Sequence, residues 1–191
     1  MSLSLEKEFI FHQKSMLKYF LLLLIFCLGK WWHQTATAED LLFLLAPTDV
    51  LVSASLGDAG VWKAGEGYLH ERFSMIINAS CAGFNFFALS FLMLGWLLLN
   101  RWNTWWAVLP ALLLAWPLTI LANTSRILTI SLLKSSSPAS LSAGTWHELQ
   151  GAFVYFTILV IAAIVLRKVL GENDTELTSE PTPKTLNPPA K

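Results

Sequence analysis

The strongest constraint in this 191-residue chain is a set of four apolar runs, each long enough to cross a lipid bilayer. A helix needs about 20 mostly apolar residues to span the hydrocarbon, and about 17 at the short end. Met16–Trp32, Phe84–Asn100, Thr104–Ala122 and a run over residues 149–166 meet that length. Lipid offers backbone N–H and C=O groups no water, so each run must satisfy its own hydrogen bonds as a helix. Composition agrees, with 54% hydrophobic and 14% charged residues, against about a quarter charged in soluble domains. Thirteen basic and thirteen acidic side chains cancel, which gives no electrostatic case for a nucleic-acid partner. Nine tryptophans and twelve phenylalanines suit a chain whose aromatic rings gather at the membrane interfaces.

Between the spans lie shorter signals. "LLFLLAP" at Leu41–Pro47 ends in proline, and "ILTISLL" at Ile127–Leu133 runs into serines; both are expected as short interfacial or re-entrant helices. Pro110 and Pro117 in the third span predict a kink there. The stretch "VWKAGEGYLHERFSMIIN" places a Gly-Glu-Gly turn between β-prone pieces, which predicts a small extracytoplasmic β-hairpin. The expected fold class is therefore an all-α integral membrane bundle of about four full transmembrane helices, with two short helices and that hairpin. Residues 1–15 form an N-terminal cytoplasmic segment, 16–170 the transmembrane domain, and 171–191 a polar, proline-rich tail expected to be disordered. The first run is expected to be retained: its n-region is long and carries Glu6 and Glu8, and no A-x-A site follows it directly.

Basic residues near helix ends set orientation. The N-terminal segment carries Lys7, Lys14 and Lys18, Arg101 lies between the second and third spans, and Arg167 and Lys168 end the fourth. Four spans put these on one side, expected to be cytoplasmic. Trp31 and Trp32 then belt the outer face, and Trp102, Trp105 and Trp106 the inner one.

Span parity gathers three further residues at one membrane depth. Cys81 stands at the outer start of the second span in "NASCAGFNFF". Arg126 follows the third in "ANTSRIL", and His147 opens the fourth in "GTWHELQG". A free thiol has a pKa of about 8.5 and needs activation at neutral pH. A helix start favours the thiolate, and a histidine can accept the thiol proton and later protonate a leaving amine. An arginine can hold the oxyanion of a tetrahedral intermediate. Asn123, three residues before Arg126, would share its helix face. Gly151, four after His147, would permit close approach of a neighbour. Taken singly, Cys81 reads as packing, Arg126 as a snorkelling side chain and His147 as an interfacial histidine. His33 and His70, on the same side, are rival bases. Cys27, within the first run, is a small apolar-like residue, and no disulfide is expected. Metal-ligand spacing is lacking, and no metal or cofactor is called for.

"NASCAGFNFF", "PLTILANTSRILTI" and "WHELQGAFVYF" together resemble the exosortase/archaeosortase family of membrane cysteine transpeptidases, over roughly residues 41–166. The family pattern maps onto Cys81 with Gly83, Asn123 with Arg126, and His147 with Gly151. The resemblance implies Cys81 as nucleophile, Arg126 as stabiliser and His147 as general base or acid. It implies a multi-pass protein of the bacterial cytoplasmic membrane with its active site on the outer face. The implied substrate is an exported protein with a C-terminal motif, transmembrane helix and basic cluster, cleaved through a thioester and passed to a surface acceptor or water. Ala82 stands where many members carry serine, and about four spans replace about eight, as in a compact, exosortase K-like subgroup. Two other readings use the same residues: a non-catalytic membrane assembly or scaffold protein, and a thiol acyltransferase acting on lipid.

Overall fold

The computed structural model describes residues 2–132 and 143–177, with side chains described over 16–132 and 148–171. The elements run α1 (Ser2–His33), α2 (Leu42–Leu56), β1 (Val61–Lys63), β2 (Gly67–His70), β3 (Met75–Ile77), a 3-10 turn (Ala79–Cys81), α3 (Phe84–Trp102), α4 (Val108–Leu132) and α5 (Ala143–Leu177). Among the described residues, four segments are long and apolar enough to cross a membrane: Met16–His33, Ala79–Trp102, Trp105–Leu132 and Glu148–Gly171. They coincide with the four expected spans. Helix α5 continues past Gly171 to Leu177, and the rest of the expected tail lies outside the described residues.

Helix α3 is the hub, packed against α1, α4 and α5. Polar side chains fasten α1 to it at both ends. Lys18 Nζ donates to Asn103 Oδ1 at 2.6 Å and the Tyr19 hydroxyl to Asn100, while Lys30 Nζ donates to Asn85. Between them Leu22 is buried against Gly95, where a Cβ would lie 2.5 Å from Leu22 Cδ1. Near Lys18, Arg101 Nε donates to the Leu170 carbonyl at 3.3 Å, so the starts and ends of these helices alternate as parity requires. Exposed Trp102, Trp105 and Trp106 ring that end, and exposed Trp31 and Trp32 the other. Outward-facing Phe20, Leu24, Phe153, Phe156 and Ile161 leave α1 and α5 apolar surfaces suited to lipid tails.

Two expectations need correction. The segment starting "LLFLLAP" does not stop at Pro47, because α2 carries the proline inside it and runs to Leu56. Proline has no N–H to give the carbonyl four residues back, which here belongs to Phe43. That carbonyl accepts the indole N–H of Trp116 on α4 at 2.9 Å, so it is not left unpaired. Nor is Ile127–Leu133 a separate re-entrant helix: Ile127 to Leu132 are the last turns of a continuous α4. Among the described residues, one short apolar helix, α2, accompanies the spans.

The expected hairpin is present, and β3 extends it to a three-stranded antiparallel sheet in the order β1-β2-β3. Tyr68 pairs with Trp62 on one side and Ile77 on the other. The Gly65 N–H donates to Glu39 at 2.7 Å; that bond and one from Glu39's own N–H hold the carboxyl below its usual range. Leu41, Leu44, Leu45 and Val52 of the α2 region, Ile77 of β3, and Ala82 and Phe84 form one core cluster beneath the sheet.

Replacing Trp116 with phenylalanine strands the Phe43 carbonyl. The expected loss in detergent unfolding is about 1–3 kcal/mol. Adding Pro47→Ala, which supplies the missing N–H, should recover most of it; absence of recovery would refute this account of α2.

Candidate active site

Cys81 ends the 3-10 turn between β3 and α3, with its N–H bonded to the Asn78 carbonyl at 2.9 Å. The chain then enters α3 through Gly83, which adopts the left-handed conformation at φ 74°. This conformation and the space above it both call for glycine. A Cβ at Gly83 would meet Asn123 Cγ at 3.1 Å and the Tyr155 hydroxyl at 3.2 Å. Asn123, fully buried on α4, donates from Nδ2 to the Cys81 carbonyl at 2.5 Å. Its Oδ1 accepts the Tyr155 hydroxyl of α5 at 2.7 Å. One amide thus joins the cysteine turn, α4 and α5.

Arg126 sits one turn further along α4, inside the candidate span rather than beyond it. The polar "NTS" before it does not end the helix: Asn123 is bonded to Cys81 and Tyr155 within the bundle, and Ser125 Oγ back to the Leu121 carbonyl at 2.8 Å. The guanidinium carbon lies 5.4 Å from the centre of the Tyr155 ring, a cation–π distance. Its stem rests on Gly151, where a Cβ would come within 3.1 Å of Arg126 Cδ. Arg126 Nε is buried with no hydrogen-bond partner among the described residues.

Cys81, Gly83, Asn123, Arg126 and Gly151 are therefore brought together at one end of the bundle, the end where Lys30 meets Asn85. His147 lies on α5 four residues before Gly151, about 6 Å along the axis by helical rise; its side chain is outside the described ones. Of the rival bases, His70 is fully buried with both ring nitrogens engaged, Nε2 with Asp49 at 2.8 Å and Nδ1 with the Asp58 carbonyl at 3.1 Å. It fastens the sheet to α2. His33 stacks on Phe84, ring centroids 4.3 Å apart. Both cysteines are free, Cys81 half-buried and Cys27 exposed on α1.

The sequence matches the transmembrane exosortase family over residues 19–164. The chain belongs to that family. No curated protein and no solved structure matches it. The matched region takes in α1 from Tyr19 and every residue of the cluster. Membership carries transpeptidase-type function at the level of the family and makes this a multi-pass membrane protein. In this exosortase Ala82 is fully buried in the apolar cluster with Leu41 and Phe84, where a serine would have to bury a hydroxyl.

Sequence reasoning missed Tyr155. Its one signal is spacing, since it follows Gly151 by four and His147 by eight residues in "HELQGAFVY", a single stripe on a helix.

Gly83→Ala and Gly57→Ala separate strain from crowding. Gly57 is also left-handed, at φ 66°, but has nothing within 4 Å of a Cβ. Gly57→Ala should cost about 1 kcal/mol, and Gly83→Ala clearly more, in matched thermal unfolding. Equal losses would mean that contact with Asn123 and Tyr155 does not matter.

Proposed function

We propose that this exosortase cleaves the C-terminal sorting signal of exported proteins through a thioester on Cys81 and transfers them to an acceptor at the outer face of a bacterial cytoplasmic membrane. The observation that carries this reading is the Asn123 bridge. It ties the Cys81 backbone to the helix turn bearing Arg126, whose buried Nε–H has no acceptor among the described residues.

In this mechanism the Cys81 sulfur attacks the scissile carbonyl carbon as His147 takes the thiol proton. Negative charge develops on the carbonyl oxygen, and Arg126 donates to it. Collapse breaks the C–N bond, His147 returns the proton to the leaving amine, and the acyl group stays on sulfur as a thioester. An acceptor nucleophile or water then attacks the thioester, and His147 shuttles the proton to restore the thiol. Gly83 and Gly151 keep the approach to Asn123 and Arg126 open, and Asn123 holds the turn. The chemistry uses side chains alone.

The released fragment would carry the signal's own hydrophobic helix. An apolar groove of about 230 Å³ between α3 and α5, lined by Phe86, Leu89, Ala152, Phe156 and Leu159, leads to Tyr155 and Asn85. It supports lateral presentation of such a helix from the bilayer.

The test is reconstitution in liposomes with a membrane peptide bearing a motif, an apolar helix and a basic cluster. Wild type should yield a hydroxylamine-sensitive peptidyl adduct on Cys81, and Cys81→Ala none. His147→Ala should slow adduct formation by about 10²-fold or more, and Arg126→Lys by a similar factor, since an ammonium does not reproduce the guanidinium fork. Cleavage that survives Cys81→Ala refutes the reading. A fatty acyl adduct in place of a peptidyl one would move the activity to lipid acyl transfer.

A further inference from the structure

Tyr155 touches both halves of the cluster. Its hydroxyl donates to Asn123 Oδ1 at 2.7 Å, and Asn123 in turn holds the Cys81 carbonyl. Its ring faces the Arg126 guanidinium at 5.4 Å and packs on Phe86 of α3, centroids 4.7 Å apart. The hydrogen bonds also leave no freedom in the Asn123 amide. A backbone carbonyl only accepts, so Nδ2 must face Cys81 and Oδ1 must face Tyr155, and the phenol must donate.

We infer that Tyr155 is a positioning residue that acts through two separate handles: its hydroxyl fixes the Cys81 turn by way of Asn123, and its ring fixes the plane and depth of the Arg126 guanidinium. The inference rests on the proposed function for its catalytic meaning but not for its test. The hydroxyl handle belongs to a three-member chain in which removal of any link frees the next. The ring handle survives in phenylalanine, which keeps the π face, and is lost in leucine, which keeps comparable apolar bulk. Thus a Tyr155→Phe chain loses one function and a Tyr155→Leu chain loses both. An ordinary core tyrosine would show no such division.

Direct alkylation of the thiol reads both handles without a substrate. In the full-length protein in detergent, Cys27→Ala leaves Cys81 as the sole thiol. Rates with neutral iodoacetamide report access to and order of the turn, and the ratio of the iodoacetate to the iodoacetamide rate reports positive potential at the sulfur. Tyr155→Phe and Asn123→Ala should each change the iodoacetamide rate by about fivefold, and the double variant by no more than either alone. Arg126→Gln should lower the iodoacetate ratio several-fold. Tyr155→Leu should lower it toward the Arg126→Gln value, and Tyr155→Phe should leave it near wild type.

Additive effects of Tyr155→Phe and Asn123→Ala would overturn the hydroxyl handle. A wild-type ratio in Tyr155→Leu, with Arg126→Gln lowered, would overturn the ring handle alone. An unchanged ratio in Arg126→Gln would overturn the role of Arg126 in the proposed function, and the ring handle with it. If Tyr155→Leu fails to fold, Tyr155→Phe and Asn123→Ala still decide the hydroxyl handle, and Tyr155→Met replaces leucine for the ring.

Discussion

Hydrocarbon provides no hydrogen-bonding partner, and that single condition shapes this protein at every level. It forces the four apolar runs into helices whose backbone groups pair internally. It also explains two exceptions, where a side chain from another helix answers a backbone carbonyl. Trp116 answers the carbonyl that Pro47 leaves open in α2, and Asn123 answers the carbonyl of Cys81 where the chain turns into α3. These two contacts hold the elements outside the core bundle, α2 and the cysteine turn, in fixed relation to α4.

Helix α4 is therefore the reference for the candidate site. It carries Asn123 and Arg126 and is crossed by α2, while α3 and α5 flank it. Close approach along this seam depends on two glycines from different helices, Gly83 beneath Asn123 and Tyr155, and Gly151 beneath the Arg126 stem. Small residues of this kind let membrane helices approach closely. Here the gain is chemical as well as mechanical, since space left by a missing Cβ is where the polar groups meet.

Much of the fold was legible because span length in lipid is a physical minimum that few sequences meet by chance. Parity of the spans puts Cys81, Arg126 and His147 at one membrane depth, and helical spacing adds Asn123 and Gly151. The misreadings share one cause, which is that their explanation lies far along the chain. Pro47 reads as a helix stop unless Trp116 is known to reach it across 73 residues. "NTS" reads as the end of a span unless Asn123 is known to face Cys81 and Ser125 to bond back to Leu121. Tyr155, set in an apolar run, does not stand out until its hydroxyl is seen on Asn123. The third strand was also missed, since Met75–Ile77 is too short to show alternation.

Arg126 Nε has already been stripped of water by the surrounding helices, and nothing in its described surroundings takes water's place. For most groups dehydration is a cost met when a ligand arrives. At this nitrogen it was met when the bundle assembled, so an oxygen that reaches the site encounters a bare donor held in place. In the proposed mechanism, part of the work of attracting a developing negative charge is thereby transferred from the moment of encounter to the stability of the protein itself.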